Sequence, residues 1–260
     1  MKKNKLTILG SGSSSTIPSL PCVINNNMCK ICYTLNEKPK NRRDNTSCLI
    51  YIDSLLEHFL FDFCVNMSIK FLQLDIKNIP VLILSHEHSD AMAGFIYLYP
   101  AIPKNTILPV YSTAKGVLEL KSRYPYMFEK NKNDENLGFF ELKSFEDFNR
   151  KYEKNIKLIE VVHGNTTCLG FKTKNLAYFA DISSYECFKS DELQDLDVLI
   201  VECNQKEYKS FGHLNEKDVD NILEIVNPKR VVLTGLSHTM DYYCEDNKYE
   251  FGFDMMEIRF

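Results

Sequence analysis

Two histidines and an aspartate at alternate positions, His86-Glu87-His88-Ser89-Asp90, follow the apolar run 81–84. Imidazole nitrogen is a good donor to zinc, iron or manganese, and a carboxylate oxygen suits harder ions. A short apolar run that follows Pro80 and stops abruptly reads as a buried strand ending in a loop. Loops beyond the carboxyl ends of strands are where layered α/β folds gather ligands. The pattern recurs downstream. The run 156–162 ends at His163, and 176–180 ends at Asp181. The run 198–201 ends at Glu202-Cys203-Asn204, and 231–234 leads into Gly235-Leu236-Ser237-His238. His213 stands ahead of a helix start at Asn215. Of six histidines only His58 is set apart, inside a strand-like stretch, and it reads as structural.

A second cluster is made of thiols. Cys29-Lys30-Ile31-Cys32 is a Cys-x-x-Cys pair with Cys22 seven residues upstream. One loop could bring these three thiolates to a tetrahedral metal, with a fourth ligand from elsewhere. The competing readings are unrelated loop cysteines or a redox pair, the latter disfavoured because no strand-then-helix pattern frames them. Gly10-Ser11-Gly12-Ser13, after the strand at 6–9, is either a phosphate cradle or a tight turn, and it carries no P-loop lysine.

The elements that must position these groups are short. Strands are expected at 46–52, 59–63 and 108–111, helices at 66–74, 91–99, 113–123 and 219–226, and a hairpin at 168–180 with Asn175 in its turn. The stretch 130–136 is polar and reads as a surface loop. With 260 residues, 44% hydrophobic and 25% charged, the chain is expected to form one globular domain over 1–260. The net charge of −4 argues against nucleic acid as a primary partner. No apolar run approaches a membrane span, and the apolar piece after Met1-Lys2-Lys3 stops at Gly10, too early for a signal peptide. A cytoplasmic location is expected, in which nine cysteines serve metal or the core and not disulfides.

Taken together, the chain resembles the metallo-β-lactamase superfamily over nearly its full length. His-x-His-x-Asp after a strand, a strand-end His, a strand-end Asp and a final Ser-His occur in the family's order. Within it the chain is most similar to the phosphoribosyl cyclic phosphodiesterase branch and, further off, to tRNase Z. The opening glycine loop, the cysteine cluster, Asn41-Arg42-Arg43, Gly212-His213-Leu214 and the ending Gly252-Phe253-Asp254-Met255-Met256-Glu257-Ile258 carry that likeness. The resemblance implies an α/β (α+β) fold, the αββα sandwich of two mixed sheets flanked by helices. It implies that His86, His88, His163 and Asp181 hold a first metal, zinc or manganese, and that Asp90 belongs to a second, with Asp181 bridging. Two second-metal imidazoles of the family are missing here, where Ala91 and Gly235 stand, so one tightly bound catalytic ion is expected. The resemblance supplies His238 as the fourth ligand of a structural zinc with Cys22, Cys29 and Cys32. Asp62 matches the family's strand-end Asp, though Phe63-Cys64 follows it in place of x-Gly.

The chemistry so implied is hydrolysis of a small phosphodiester, cyclic ones included, with hydroxide generated at the metal. His213 would stabilise the phosphoryl group or protonate the leaving oxygen, and Asp90 would orient or deprotonate the water. Arg42 and Arg43 either meet substrate phosphate or pack. The alternatives are a tRNase Z-like nuclease, a thioester or lactone hydrolase, or a metal-binding pseudoenzyme. The partner expected is the small-molecule substrate, with no membrane; a homodimer is left open.

Overall fold

The computed structural model describes residues 4–25, 29–103, 106–128 and 139–260. The chain opens with β1 (Lys5–Gly10), the short helices α1 (Leu20–Ile24) and α2 (Lys30–Tyr33), then β2 (Ser47–Ile52), β3 (Glu57–Phe61) and α3 (Met67–Gln73). It continues through β4 (Val81–Ile83), α4 (Ser89–Met92), β5 (Leu108–Ser112), α5 (Ala114–Arg123), β6 (Phe140–Ser144) and α6 (Phe145–Tyr152). The second half holds β7 (Lys157–His163), β8 (Thr166–Lys172), β9 (Leu176–Phe179), β10 (Val198–Glu202), α7 (Glu216–Ile225), β11 (Arg230–Thr234), β12 (Glu250–Phe251) and β13 (Glu257–Arg259).

These strands make two mixed sheets, ordered β13-β1-β2-β3-β4-β5-β6 and β12-β11-β10-β9-β8-β7. Alternation along the strands explains why the sheets stack and still carry helices outside. On β3, Phe59 and Phe61 face the central core while Leu60 joins the outer cluster with Met67 of α3 and Leu120 of α5. On β10, Val198 and Ile200 face the same central core, and Leu199 and Val201 pack outward with Val219 and Ile222 of α7. Both faces of the central strands are therefore buried, and the result is the expected αββα sandwich.

One expectation from the sequence changes, and two stretches stand apart from it. The helix expected at 91–99 is one turn, α4, followed by two 3-10 turns. Gly94 explains the break: a β-carbon there would lie 2.3 Å from the Cys64 carbonyl oxygen, so the chain must bend where only glycine fits. β6 and α6 are not among the expected elements, although Ser144 and Asp147 form a capping box that the sequence displays. The loop expected at 130–136 lies outside the described residues.

Arg43 is settled as a packing residue. It is 1% exposed, and its guanidinium donates to the carbonyls of Ser237 at 3.2 Å and Met240 at 2.8 Å. It pins the loop after β11 from beneath. Arg42 is exposed and does not line the site cavity described below.

Candidate functional site

The first site forms where β4 and β7 end. His86, His88 and His163 bring ring nitrogens within 4.8 Å of one another. The loop that carries His86 is set by Asp62, buried at the end of β3 with a left-handed φ of 60°. Asp62 Oδ1 accepts the Ser85 amide at 2.7 Å, fixing the residue before His86. Asp tolerates this region better than most residues, so the sharp exit needs no glycine.

The free ring nitrogens are aimed by their partners. His163 Nδ1 donates to the Gly212 carbonyl at 2.9 Å, leaving Nε2 as its lone-pair nitrogen. His86 Nδ1 lies 2.8 Å from Ser85 Oγ, while His86 Nε2 is buried with no hydrogen-bond partner among the described residues. Burial, reinforced by the neighbouring rings of His163 and His88, pushes His86 down to about 3, and burial likewise lowers His163. Three imidazoles converging on one point, two of them lowered by burial and one with an orphaned nitrogen, fit a divalent transition-metal ion.

His163 also belongs to a second group with Asp181 and His213, again within 4.8 Å. Asp181 Oδ2 accepts from Thr46 Oγ1 at 3.3 Å. Asp90, half-buried on α4, lines the same cavity of about 530 Å³ but stands outside both donor groups. Ala91 is 3% exposed and packs in the apolar cluster with Phe63 and Phe95.

Glu202, absent from the sequence-based candidates, completes this wall. Its carboxylate is 1% exposed; Oε2 accepts the Ile182 amide at 2.9 Å, and Oε1 accepts from His213 Nδ1. Burial pushes Glu202 up from the usual carboxylate range. Burial also works against the His213 cation, but the hydrogen bond and charge of Glu202, with Asp181 and Asp90 beyond, outweigh it and hold His213 up at about 9. Gly235 leaves the room for this pair. Its φ is +65°, and a β-carbon there would lie 2.9 Å from Glu202 Cγ. A signal for Glu202 did exist: it ends an apolar run as His163 and Asp181 do, and the parallel pairing of β10 with β9 and β11 aligns those ends.

The thiol cluster is assembled as one group: Cys22, Cys29, Cys32 and His238 present donor atoms within 4.8 Å of one another. Cys22 Sγ and Cys29 Sγ lie 3.4 and 3.3 Å from His238 Nδ1. A tetrahedral zinc with ordinary bond lengths separates sulfur and nitrogen by about 3.5 Å, so the donor set fits. The amides of Ser19 and Cys32 donate to Cys32 Sγ and Cys29 Sγ at 3.4 and 3.5 Å, while burial pushes the Cys32 thiol up to about 12. Cys29→Ser is expected to lose about one zinc per chain and to melt at lower temperature, because binding at a closed site is folding free energy. Elemental analysis and calorimetry check this, and full zinc with unchanged melting would remove the site.

Of the residues that the sequence nominates for metal and catalysis, the structure thus gathers His86, His88 and His163 in one group, His163, Asp181 and His213 in another, and the four thiol-site residues in a third; Asp90 is placed at the cavity wall. Among the described residues no helix is long and apolar enough to cross a membrane.

Comparisons with known proteins agree with this architecture. The curated octanoyltransferase of Porphyromonas gingivalis (strain ATCC BAA-308 / W83) is 28% identical over 238 residues, 89% of this chain; the chain spans under half, 45%, of that relative. A crystal structure of a diphosphatase from the PhnP family superposes with a TM-score of 0.79 at 20% identity, over 99% of this chain and 98% of that one. Zinc-bound PqqB from Methylobacterium extorquens follows at 0.74 and 13%, over 98% and 100%. The family profile described as a beta-lactamase superfamily domain matches residues 51–236, and the chain belongs to the beta-lactamase superfamily.

Proposed function

We propose that the chain is a metal-dependent hydrolase of small phosphodiesters, cyclic ones included. The observation that carries this reading is His213, backed by the buried Glu202, lining one cavity with His88 and His163 of the three-imidazole centre. His86, His88 and His163, with Asp181 from the adjoining group that shares His163, would hold a zinc or manganese ion, which when bound would supply Lewis acidity and bring the pKa of water there to about 7. The protein's own groups do the rest. His213, kept protonated by Glu202, lies where it can donate to a phosphoryl oxygen or to the leaving alkoxide. Asp90, which no imidazole neighbour at position 91 draws towards an ion, is free to accept a proton from the attacking water. The structural likeness to a PhnP-family diphosphatase supports phosphoryl chemistry. The name of the octanoyltransferase relative supports acyl transfer as the second reading. The partner in either case is a small molecule, and nucleic acid is disfavoured by the net charge of −4.

The test pairs metal analysis of the purified protein with a panel of linear phosphodiesters, cyclic nucleotides and acyl thioesters. Metal-dependent turnover of phosphodiesters is expected; turnover of thioesters alone by the fully loaded protein would replace this reading with the second. Glu202→Gln keeps a hydrogen-bonding side chain but removes the charge behind His213. Its kcat is expected to fall by roughly tenfold or more with metal content unchanged, and steady-state kinetics with metal counting checks it.

A further inference from the structure

The cavity has two features that hydrolysis at the metal centre does not use. Phe211 lines its mouth and is 78% exposed, a large ring without a polar handle. It does not owe that exposure to a loose loop. Asn215 Nδ2 donates to the Glu207 carbonyl at 3.0 Å, Lys209 pairs with Asp218 at 2.9 Å, and the Gly212 carbonyl holds His163. Gly164 and Gly212, both at positive φ, let the loop lie directly on the turn between β7 and β8; a β-carbon at Gly164 would come within 3.1 Å of the Phe211 ring. The ring is thus held in place beside the centre, with no aromatic partner stacked on it among the described residues.

Lys115, on the first turn of α5, also lines the cavity. Its ammonium lies 3.3 Å from Thr166 Oγ1, and Thr166 donates in turn to Glu87. That chain steadies the cation at the cavity edge, and among the described residues it makes no ion pair. It stands apart from the histidine cluster, and an opposite charge, the Glu87 carboxylate, shares its cavity wall. Burial raises Glu87, but the Thr166 hydrogen bond and, to a lesser degree, the Lys115 charge help to hold it below the usual range.

We propose that Phe211 and Lys115 set substrate choice, selecting a phosphodiester that carries a flat ring and a second anionic group, as a cyclic nucleotide bearing a further phosphate does. This rests on the phosphodiester reading above. A base face covers the Phe211 ring regardless of its hydrogen-bonding edge, and stacking of this kind is tolerant of base identity. An ammonium on a flexible stem meets phosphate as a point charge. The two then measure different parts of one substrate while its scissile phosphate sits at the histidine cluster.

Equilibrium binding to the metal-loaded protein, measured by calorimetry, tests this apart from turnover. AMP is expected to bind at least about tenfold more tightly than ribose 5-phosphate, the scale of one base–aromatic stack. Phe211→Ala should erase that preference and Phe211→Trp restore it. ADP should bind more tightly than AMP by a factor lost in Lys115→Met and regained in Lys115→Arg. Equal affinity of the native protein for AMP and ribose 5-phosphate, no binding of either, or equal weakening of both by Phe211→Ala would overturn the ring subsite. An ADP-to-AMP ratio unchanged in Lys115→Met would overturn the anion subsite. A preserved AMP preference in a protein that hydrolyses no phosphodiester would sink the reaction proposed above and leave this recognition standing.

Discussion

His213→Ala is expected to keep its full metal content and to lose turnover by roughly 10² or more, the scale of a positioned acid or charge stabiliser. The expectation comes from the division of labour around the ring. Nδ1 is engaged by Glu202, so the atom left to face the cavity is Nε2. Glu202 behind it raises the ring's affinity for a proton, which favours a proton donor over a metal ligand. His213 also stands outside the group formed by His86, His88 and His163, which is assembled without it. Metal counting and single-turnover kinetics on the variant separate the two roles. Loss of metal together with activity would make His213 a ligand.

Gly235→His is expected to fail as a restoration of the second metal site. By resemblance an imidazole belongs at this position, and Ala91 with Gly235 is the ground for expecting a centre of one tightly bound ion. The structure shows why adding the ring back does not help. The backbone at 235 has φ +65°, a conformation that costs a β-carbon-bearing residue about 1–2 kcal/mol. The new β-carbon would also press on Glu202 Cγ at 2.9 Å and on the Ala180 carbonyl at 3.3 Å. The variant should therefore melt lower, bind no more metal than the parent and lose activity to about the level of His213→Ala, since Glu202 must move. Ala91→His adds to the damage, because position 91 is packed among Phe63, Met92 and Phe95. Two fully occupied metals in the unsubstituted protein, seen by anomalous scattering, would refute the one-metal expectation at its root.

Strand-end ligands are legible in the sequence because the central strands are buried on both faces and so read as uninterrupted apolar runs with sudden polar ends, as at 198–201 and 231–234. The roles of the groups at those ends are less so. Glu202 acquires its function from register: Glu202 pairs with Thr234 across β10 and β11, and only that alignment puts it under Gly235 and beside His213. Its place at the end of the run 198–201 marks it as a strand-end group, but not as the partner of His213. For Arg43 the sequence leaves phosphate binding and packing evenly matched, because the carbonyls it satisfies, Ser237 and Met240, lie nearly the whole chain away. The absence of β6 from the expected strands has the reverse cause: an edge strand with one well-buried residue, Phe140, shows too little alternation to stand out. The thiol cluster needs the fold-level likeness to find His238, since Cys22, Cys29 and Cys32 alone do not reach across the sequence.

The loop that carries His238 is wired into the opposite end of the centre. Ser237 donates its amide to the Asn204 carbonyl at 3.1 Å, and Asn204 Nδ2 holds the Gly235 carbonyl at 3.2 Å, two residues beyond Glu202. A chelator should therefore inactivate the protein on two clocks. Ion leaving the open, three-imidazole centre gives a fast loss that added zinc or manganese reverses at once. Ion leaving the enclosed thiol cluster frees the 235–240 segment, loosens the support of Glu202 and gives a slower loss whose recovery lags behind metal uptake. Early re-addition rescues at the rate of binding; late re-addition rescues at the rate of refolding.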